Sequence, residues 1–142
     1  IGQSDIETAQ RYLNEFAQLI RIVLYNSRQQ TVRLQDEIEA LRRYLNLEQF
    51  RFHPTFRYTI DIDPQIQIDF VEIPPMIFQP FVENAIWHGL MHKESTDRKL
   101  HLSFTKKQRL IRIEIEDNSF DAFYPNASKL DQLPSINPLG CK

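Results

Sequence analysis

Two polar residues lie one helical turn apart in a largely apolar stretch of the chain. The segment from Gln79 to Gly89 has a helical pattern, and Asn84 and His88, four residues apart, are predicted to share a face. A magnesium ion that bridges phosphates accepts neutral oxygen ligands such as an amide carbonyl. Asn84 could therefore bind magnesium, with His88 reaching a phosphate. On composition alone, a solvated Asn84 and a His88 that favours the negative helix end are the more frequent explanation.

A second pair, His88 and His92, also has the four-residue spacing, and histidines so placed can bind zinc. A zinc site needs at least a third protein ligand. His53 and His101 lie far off in the sequence, and Cys141 is the one cysteine of the chain. Zinc binding is therefore the weaker interpretation of these histidines.

Asp117 and Asn118 follow directly after an alternating run at 110–116 that is predicted to be a strand. A carboxylate at a strand end can accept a hydrogen bond from an exocyclic amine, such as that of adenine. An Asp-Asn pair is also common in ordinary turns that end a strand. Taken alone, the pair favours the turn.

The chain has three glycines, Gly2, Gly89 and Gly140, and they do not form a glycine-rich phosphate loop. This excludes a Walker-type or Rossmann nucleotide site. No serine or cysteine has a convincing local partner for nucleophilic catalysis.

The composition describes one globular domain with an appended helical piece. The chain has 142 residues, of which 42% are hydrophobic and 25% charged, and a formal net charge of −2. Acids and bases are interspersed, so the basic stripe of a nucleic-acid binder is missing. No stretch approaches the ~20 apolar residues of a membrane span. Cys141 alone cannot form an internal disulfide, which favours a reducing compartment, and an opening Ile1 indicates a piece of a longer protein.

Apolar spacing predicts three helices. The first runs from Ser4 to about Ser27, the second from about Leu34 to Phe50, and the third begins near Pro75. The first helix is predicted to bury one stripe and to carry further apolar residues away from it, which favours packing on two neighbours. The stripe comprises Ile6, Leu13, Phe16, Ile20, Val23 and Leu24, and the additional residues are Tyr12, Leu19 and Ile22. The predicted stripe of the second helix comprises Leu34, Ile38, Leu41, Leu45 and Glu48.

Alternating segments predict a strand at 56–62 and a hairpin formed by 100–105 and 110–116, joined by a turn at 106–109. Residues 118–142 have no clear period and are predicted to form a long loop. The order helix, helix, strand, helix, strand, strand predicts an α+β fold, with a layer of helices on one face of a mostly antiparallel sheet.

Short sequence words that occur in the order of a known family cover roughly residues 8–118. They are Tyr12-Leu13, Leu19-Ile20-Arg21, Ser27, Leu34, Glu37-Ile38, Leu41, Tyr44 to Glu48, Arg51-Phe52, Ile73 to Met76, Gln79 to Gly89 and Asp117-Asn118. On these words the chain resembles the LytS/YehU-type bacterial sensor histidine kinases.

The resemblance implies a GHKL (Bergerat-type) ATP-binding region, a two-layer α/β sandwich similar in outline to gyrase- and Hsp90-like ATPases. Residues 1–30 would be the last helix of the dimerisation and phosphotransfer region, and residues 31–142 the catalytic domain. By position, Asn84 would bind the magnesium of magnesium-ATP and His88 would line its phosphate side. Asp117 would accept a hydrogen bond from the adenine amine, and Gly140 would belong to a glycine-rich ATP-binding box.

The resemblance also implies partners and a location. The parent protein would be a protein-histidine kinase that transfers the γ-phosphoryl group of ATP to a histidine and then to a response regulator. It would form a homodimer through the N-terminal helix. The chain would be the cytoplasmic portion of a membrane-anchored bacterial sensor.

Three departures from the family pattern define an alternative. The segment with the phosphoacceptor histidine is absent, so no catalytic residue is assigned and the chain alone is expected not to autophosphorylate. Ser119 and Asp121 stand where the family has Gly-x-Gly, and Pro138 replaces the first glycine of the second box. Residues 118–142 therefore resemble a degenerate, truncated lid. The alternative is a kinase-derived protein-interaction module with weak or no nucleotide binding.

Overall fold

Two long helices form the N-terminal half of the structure, a computed structural model that describes residues 3–51 and 55–119. Helix α1 spans Gln3–Ser27 and helix α2 spans Leu34–Arg51, close to their predicted bounds. The predicted stripe of α2 is confirmed, because all five of its residues are buried, including the carboxylate-bearing Glu48 at 4% exposure. Arg43 of α2 also donates hydrogen bonds to Glu15 and Gln18 of α1.

Most of the apolar stripe predicted for α1 is exposed within the described chain, although Val23 is partly buried against the core. Its residues Ile6, Leu13, Phe16, Ile20 and Leu24 are 40–62% exposed. An adjacent face of α1 packs against α2, through Leu19 and Asn26, which are 6% and 4% exposed. Periodicity identified an apolar face but could not show which surface, if any, covers it.

The C-terminal half is built on a three-stranded sheet. Strand β2 (Arg57–Ile62) pairs with β4 (Lys99–Lys107), which pairs with β5 (Leu110–Asp117). The predicted β4–β5 hairpin is confirmed as antiparallel, whereas β2 and β4 run parallel, a pairing that the sequence pattern did not predict. Gln108, with φ of 56°, forms a tighter turn than the four residues predicted.

A second, two-stranded sheet joins the two halves. Strand β1 (Val32–Arg33) lies antiparallel to β3 (Glu72–Ile73), and neither was predicted. At the start of α2, the Leu34 N–H donates to the Val71 carbonyl at 2.7 Å. The hydrophobic core is continuous from α2 across this small sheet to the inner side of β4, where Leu100, Leu102 and Phe104 are at most 1% exposed.

The third helix begins later than predicted. Helix α3 spans Gln79–Asn84 and continues as a π-helix at Ala85–Gly89 and a short 3₁₀ turn at Leu90–His92. Met76 has φ of 61°, so a helix cannot start at Pro75, and Pro80 takes the favourable first-turn position instead.

The described elements confirm an α+β architecture with a helical N-terminal segment. Two of the three strand pairings are antiparallel. None of the helices in residues 3–51 and 55–119 is both long and apolar enough to span a bilayer.

Candidate functional site

The helical segment that carries Asn84 and His88 has one apolar face and one exposed face. Val82, Ile86 and Leu90 are at most 1% exposed and anchor the segment in the core. Asn84 and His88 are both exposed to solvent. The predicted separation of polar and apolar faces is therefore observed, and both polar side chains remain accessible.

The backbone widens between these two polar residues. Residues Ala85–Gly89 form a π-helix, in which the Leu90 N–H is directed at the carbonyls of Ala85 and Ile86. Single π-turns within α-helices occur frequently at functional sites. Sequence reasoning missed this turn, because its apolar spacing is compatible with an ordinary α-helix.

Gly89 brings the end of this segment into contact with the end of β5. A Cβ atom added at Gly89 would lie 3.1 Å from Oδ1 and 3.2 Å from Cγ and Oδ2 of Asp117. Its φ of −101° lies outside the left-handed region, so close approach, rather than backbone conformation, requires a glycine here. Asp117 therefore lies directly beside the segment that carries Asn84 and His88.

Asp117 is partly buried, and its carboxylate has one hydrogen bond within the described chain. Oδ1 accepts the backbone N–H of Ser119 at 2.9 Å. Within residues 3–51 and 55–119, Oδ2 has no hydrogen-bond partner and could accept a donor from a bound molecule.

Asn118, next to Asp117, fastens the start of β4 to the end of β5. Its Oδ1 accepts the Lys99 N–H at 2.7 Å, and its Nδ2 donates to the Asp97 carbonyl at 2.9 Å. Its own N–H donates to the Lys99 carbonyl at 3.2 Å. Asn118 thus fixes the strand end on which Asp117 stands.

Lys93 adds a positive charge beside this strand end. Its Nζ donates to the Asn118 carbonyl at 2.7 Å, and Arg98 Nη2 donates to the Lys93 carbonyl at 2.9 Å. Sequence reasoning missed Lys93, because it lies in an irregular segment without periodicity. No pattern in the sequence identifies this contact.

On the α2 side, an acidic and aromatic cluster contacts the π-helix. Arg51 Nη1 donates to Glu48 Oε1 at 3.2 Å, and the guanidinium carbon lies 5.3 Å from the centre of the Trp87 ring. Burial raises the pKa of both Glu48 and Tyr44. The cluster attaches α2 to the segment on the side next to His88.

The remaining predicted residues do not join this site in the described chain. His101 lies on the sheet, where its ring contacts Thr59 and Asp61. The described residues contain no group of three or more His, Cys, Asp or Glu side chains that could hold a metal, so the weaker zinc interpretation gains no support. Gly140 and His53 lie outside the described residues.

The side chains present fit magnesium-ATP as a ligand. Asn84 offers an exposed amide oxygen, the kind of ligand that magnesium accepts while keeping most of its waters. Asp117 Oδ2 offers an acceptor for an amine, and the Cβ-free surface of Gly89 lies against that carboxylate. His88, four residues after Asn84, is also exposed to solvent.

The chain is similar to known proteins over most of its length. A family model described as "Histidine kinase" matches residues 1–56. "Sensor protein LytS" of Staphylococcus epidermidis is 34% identical over 114 residues, and that of Oceanobacillus iheyensis is 35% identical over 114 residues. Both matches cover 80% of this chain. The chain belongs to the LytS-type sensor histidine kinases.

The matched region is a small part of these relatives. "Sensor histidine kinase/phosphatase LytS" of Staphylococcus aureus is 32% identical over 113 residues, which are 79% of this chain. In all three relatives, the aligned part is 19% of the relative's length. The family model covers residues 1–56 and therefore does not include Asn84, His88 or Asp117.

Proposed function

We propose that this chain is the magnesium-ATP-binding region of a two-component sensor histidine kinase of the GHKL type. The observation that carries the proposal is the contact between Asp117 and Gly89. It brings a carboxylate oxygen, Oδ2, that has no hydrogen-bond partner among the described residues, next to the segment that exposes Asn84 and His88. An acceptor for the adenine amine and ligands for the phosphate end would then line one site.

Each side chain has a separate task in this proposal. Asn84 would hold magnesium through its amide oxygen, and the ion would supply charge neutralisation for the phosphates. His88 would donate to a phosphate oxygen, and Asp117 would accept from the adenine amine. Asn118 and Gly89 would keep Asp117 in position without contacting the nucleotide base. Phosphoryl transfer relies mainly on such positioning and on charge stabilisation.

The parent protein would use this site to phosphorylate a histidine that lies outside this chain, and a response regulator would receive the phosphoryl group. The similarity to sensor proteins of the LytS type supports a sensor kinase. The exposed stripe of α1 supports a homodimer, because five large apolar residues on one helix face favour burial against a second subunit. We place the chain on the cytoplasmic side of a membrane-anchored sensor.

One observation favours the alternative, an interaction module that binds nucleotide weakly. Ser119 replaces the first glycine of the family pattern, and its N–H is bound to Asp117 Oδ1 at 2.9 Å. One of the two carboxylate oxygens is therefore already used within the chain. The adenine amine of a nucleotide would have to donate its hydrogen bond to the other oxygen, Oδ2.

Titration of the chain with ATP, with and without magnesium, tests the proposal. We expect magnesium-dependent binding that is weakened about tenfold or more by Asn84→Ala and by Asp117→Asn, since each removes one polar contact to a charged or polar ligand group. Asn14→Ala and Asp69→Asn are matched controls at exposed sites on α1 and in the loop before β3.

The result has distinct outcomes. If the unsubstituted chain binds ATP and both site variants bind it with the same affinity, Asn84 and Asp117 do not contact the nucleotide. If the chain, extended through any C-terminal strands of the full-length protein, does not bind ATP, the ATP-binding proposal is wrong.

A further inference from the structure

A buried carboxylate outside the candidate site joins three separate parts of the fold. Glu37, in α2, is 5% exposed. It has no ion-pair partner among the described residues. Burial raises its pKa, as expected for a carboxylate moved out of water. A buried charge without a counterion is unfavourable, so the hydrogen bonds that it accepts must compensate.

The two oxygens of Glu37 accept hydrogen bonds from two different segments. Oε1 accepts from Nδ2 of Asn26, near the end of α1, at 3.4 Å. Oε2 accepts the backbone N–H of Met76 at 3.1 Å. Asn26 is itself 4% exposed, so its amide has little access to water. The carboxylate therefore links the last turn of α1 to the loop that precedes α3.

The linked loop determines where α3 begins. Met76 has φ of 61°, a conformation that non-glycine residues rarely adopt without support. Two residues later, the Phe78 carbonyl accepts the N–H groups of Phe81 and Val82, both at 3.1 Å. The Phe78 ring packs edge-on against Phe104 of β4, with centroids 5.5 Å apart. The Met76 hydrogen bond thus lies immediately before the first turn of the helix that carries Asn84.

We infer that Glu37 is a positioning residue that couples the end of α1 to the start of α3, and through it to Asn84. A movement of Asn26 relative to α2 would change the hydrogen bonding of Glu37 and release or restrain the Met76 conformation. The consequence for ATP rests on the proposed function, whereas the coupling between α1 and α3 does not. The two can be measured separately.

Two substitutions, Asn26→Asp and Glu37→Gln, test the link singly and in combination. Asn26→Asp would place a second carboxylate against Glu37 and remove the donor. Glu37→Gln keeps an acceptor for Met76 and presents an amide to residue 26. In the double variant, Asn26→Asp with Glu37→Gln, that amide can donate to the new carboxylate, which restores a donor–acceptor pair with the roles exchanged.

Amide hydrogen exchange at Met76 in the full chain reports the link without nucleotide. We expect Asn26→Asp to accelerate this exchange about tenfold or more, and the double variant to return it to within about threefold of the parent. Asn26→Ala removes the donor without adding charge and is expected to give a smaller acceleration. It also serves if Asn26→Asp does not fold.

The control is Asn14→Asp, which makes the same change at an exposed site on α1. Unchanged Met76 exchange in the Asn26 variants would overturn the inference. Acceleration without rescue in the double variant would overturn it too, because that is the behaviour of a general packing defect. Magnesium-ATP affinity, measured on the same proteins, is expected to fall and recover in parallel with the exchange.

Affinity that stays at the parent value while Met76 exchange changes would overturn the extension to Asn84. If Met76 exchange changes and recovers in a protein that never binds ATP, the link from α1 to α3 is upheld and the proposed function fails.

Discussion

The carboxylate of Asp117 lies against the backbone of Gly89, with all three of its terminal atoms within 3.2 Å of the position that a Cβ atom would take. This contact joins the end of β5 to the end of the π-helix. It places a strand-terminating residue and a helical polar pair, which lie about thirty positions apart in the sequence, in one neighbourhood.

Gly89→Ala is expected to weaken ATP binding more than it weakens the fold. The added methyl group would have to displace the Asp117 carboxylate by a few tenths of an ångström. Overpacking costs about 1–3 kcal/mol, and the higher helix propensity of alanine offsets roughly 1 kcal/mol of it. Thermal unfolding and ATP titration measure the two effects. Asp117→Ala in the same protein should relieve the crowding, so a double variant less stable than Gly89→Ala would contradict this account.

Asn118→Ala is expected to lower the free energy of unfolding by about 1–3 kcal/mol, because the Lys99 N–H and the Asp97 carbonyl lose their side-chain partner. Asn118→Asp retains the acceptor for Lys99, but it sets a carboxylate oxygen against the Asp97 carbonyl where the donor was, so it should not recover the stability of the parent. Denaturant unfolding measures the free energies of unfolding of both variants and the parent. Equal stability of the alanine variant and the parent would show that the strand ends are held by other contacts.

The stability of the chain is expected to depend on pH through Glu37. Burial, and then the nearby charge of Asp36, raise its pKa above the ordinary value of 4.5. An acid that binds its proton more tightly in the folded state stabilises the fold fully below pH 4.5. That contribution is lost as the pH rises through the raised pKa.

The glutamine of Glu37→Gln has no proton to lose, so this variant keeps its stability as the pH rises. The difference between its melting temperature and that of the parent should therefore increase from pH 4 to pH 7. Glu94→Gln, in an exposed loop, controls for the loss of one carboxylate. Parallel curves for the parent and Glu37→Gln would contradict the raised pKa.

Leu13→Lys is expected to weaken self-association without destabilising the subunit. Leu13 is 62% exposed within the described chain, so the substitution leaves the core intact. Light scattering after size-exclusion chromatography measures the mass, and circular dichroism measures the fold. Tyr25→Lys, at 66% exposure outside the stripe, is the matched control. A mass unchanged by Leu13→Lys in a dimeric parent would exclude this face as the interface.

Much of the secondary structure could be predicted from the sequence, because helix and strand periods reveal which faces are apolar. The bounds of α1, α2 and the β4–β5 hairpin follow from those periods. Periodicity does not show which surface covers an apolar face, and for that reason it did not predict that most of the stripe of α1 is exposed within the described residues. The start of α3 was misplaced because the positive φ of Met76 leaves no mark on apolar spacing.

The candidate site was predictable in its residues but not in its contacts. Asn84, His88 and Asp117 were selected by residue type and by family resemblance, and their roles stay predictions. Three contacts depend on tertiary packing between distant segments. They are the contact of Gly89 with Asp117, the hydrogen bond from Lys93 to the Asn118 carbonyl and the link through Glu37. No local pattern contains that information. Gly140 lies outside the described residues, so its assignment also stays a prediction.

The π-helix at Ala85–Gly89 has a consequence for insertions and deletions. A π-turn contains one residue more than an α-helical turn over the same stretch. Because the extra residue is taken up within the turn, deleting one residue between Ala85 and His88 would allow a regular α-helix while leaving the residues that follow near their present orientation. The same deletion in a regular α-helix would rotate the following residues by roughly 100° about the axis and move Gly89 away from Asp117. The π-turn is therefore the part of this segment in which a change of length disturbs the contact least.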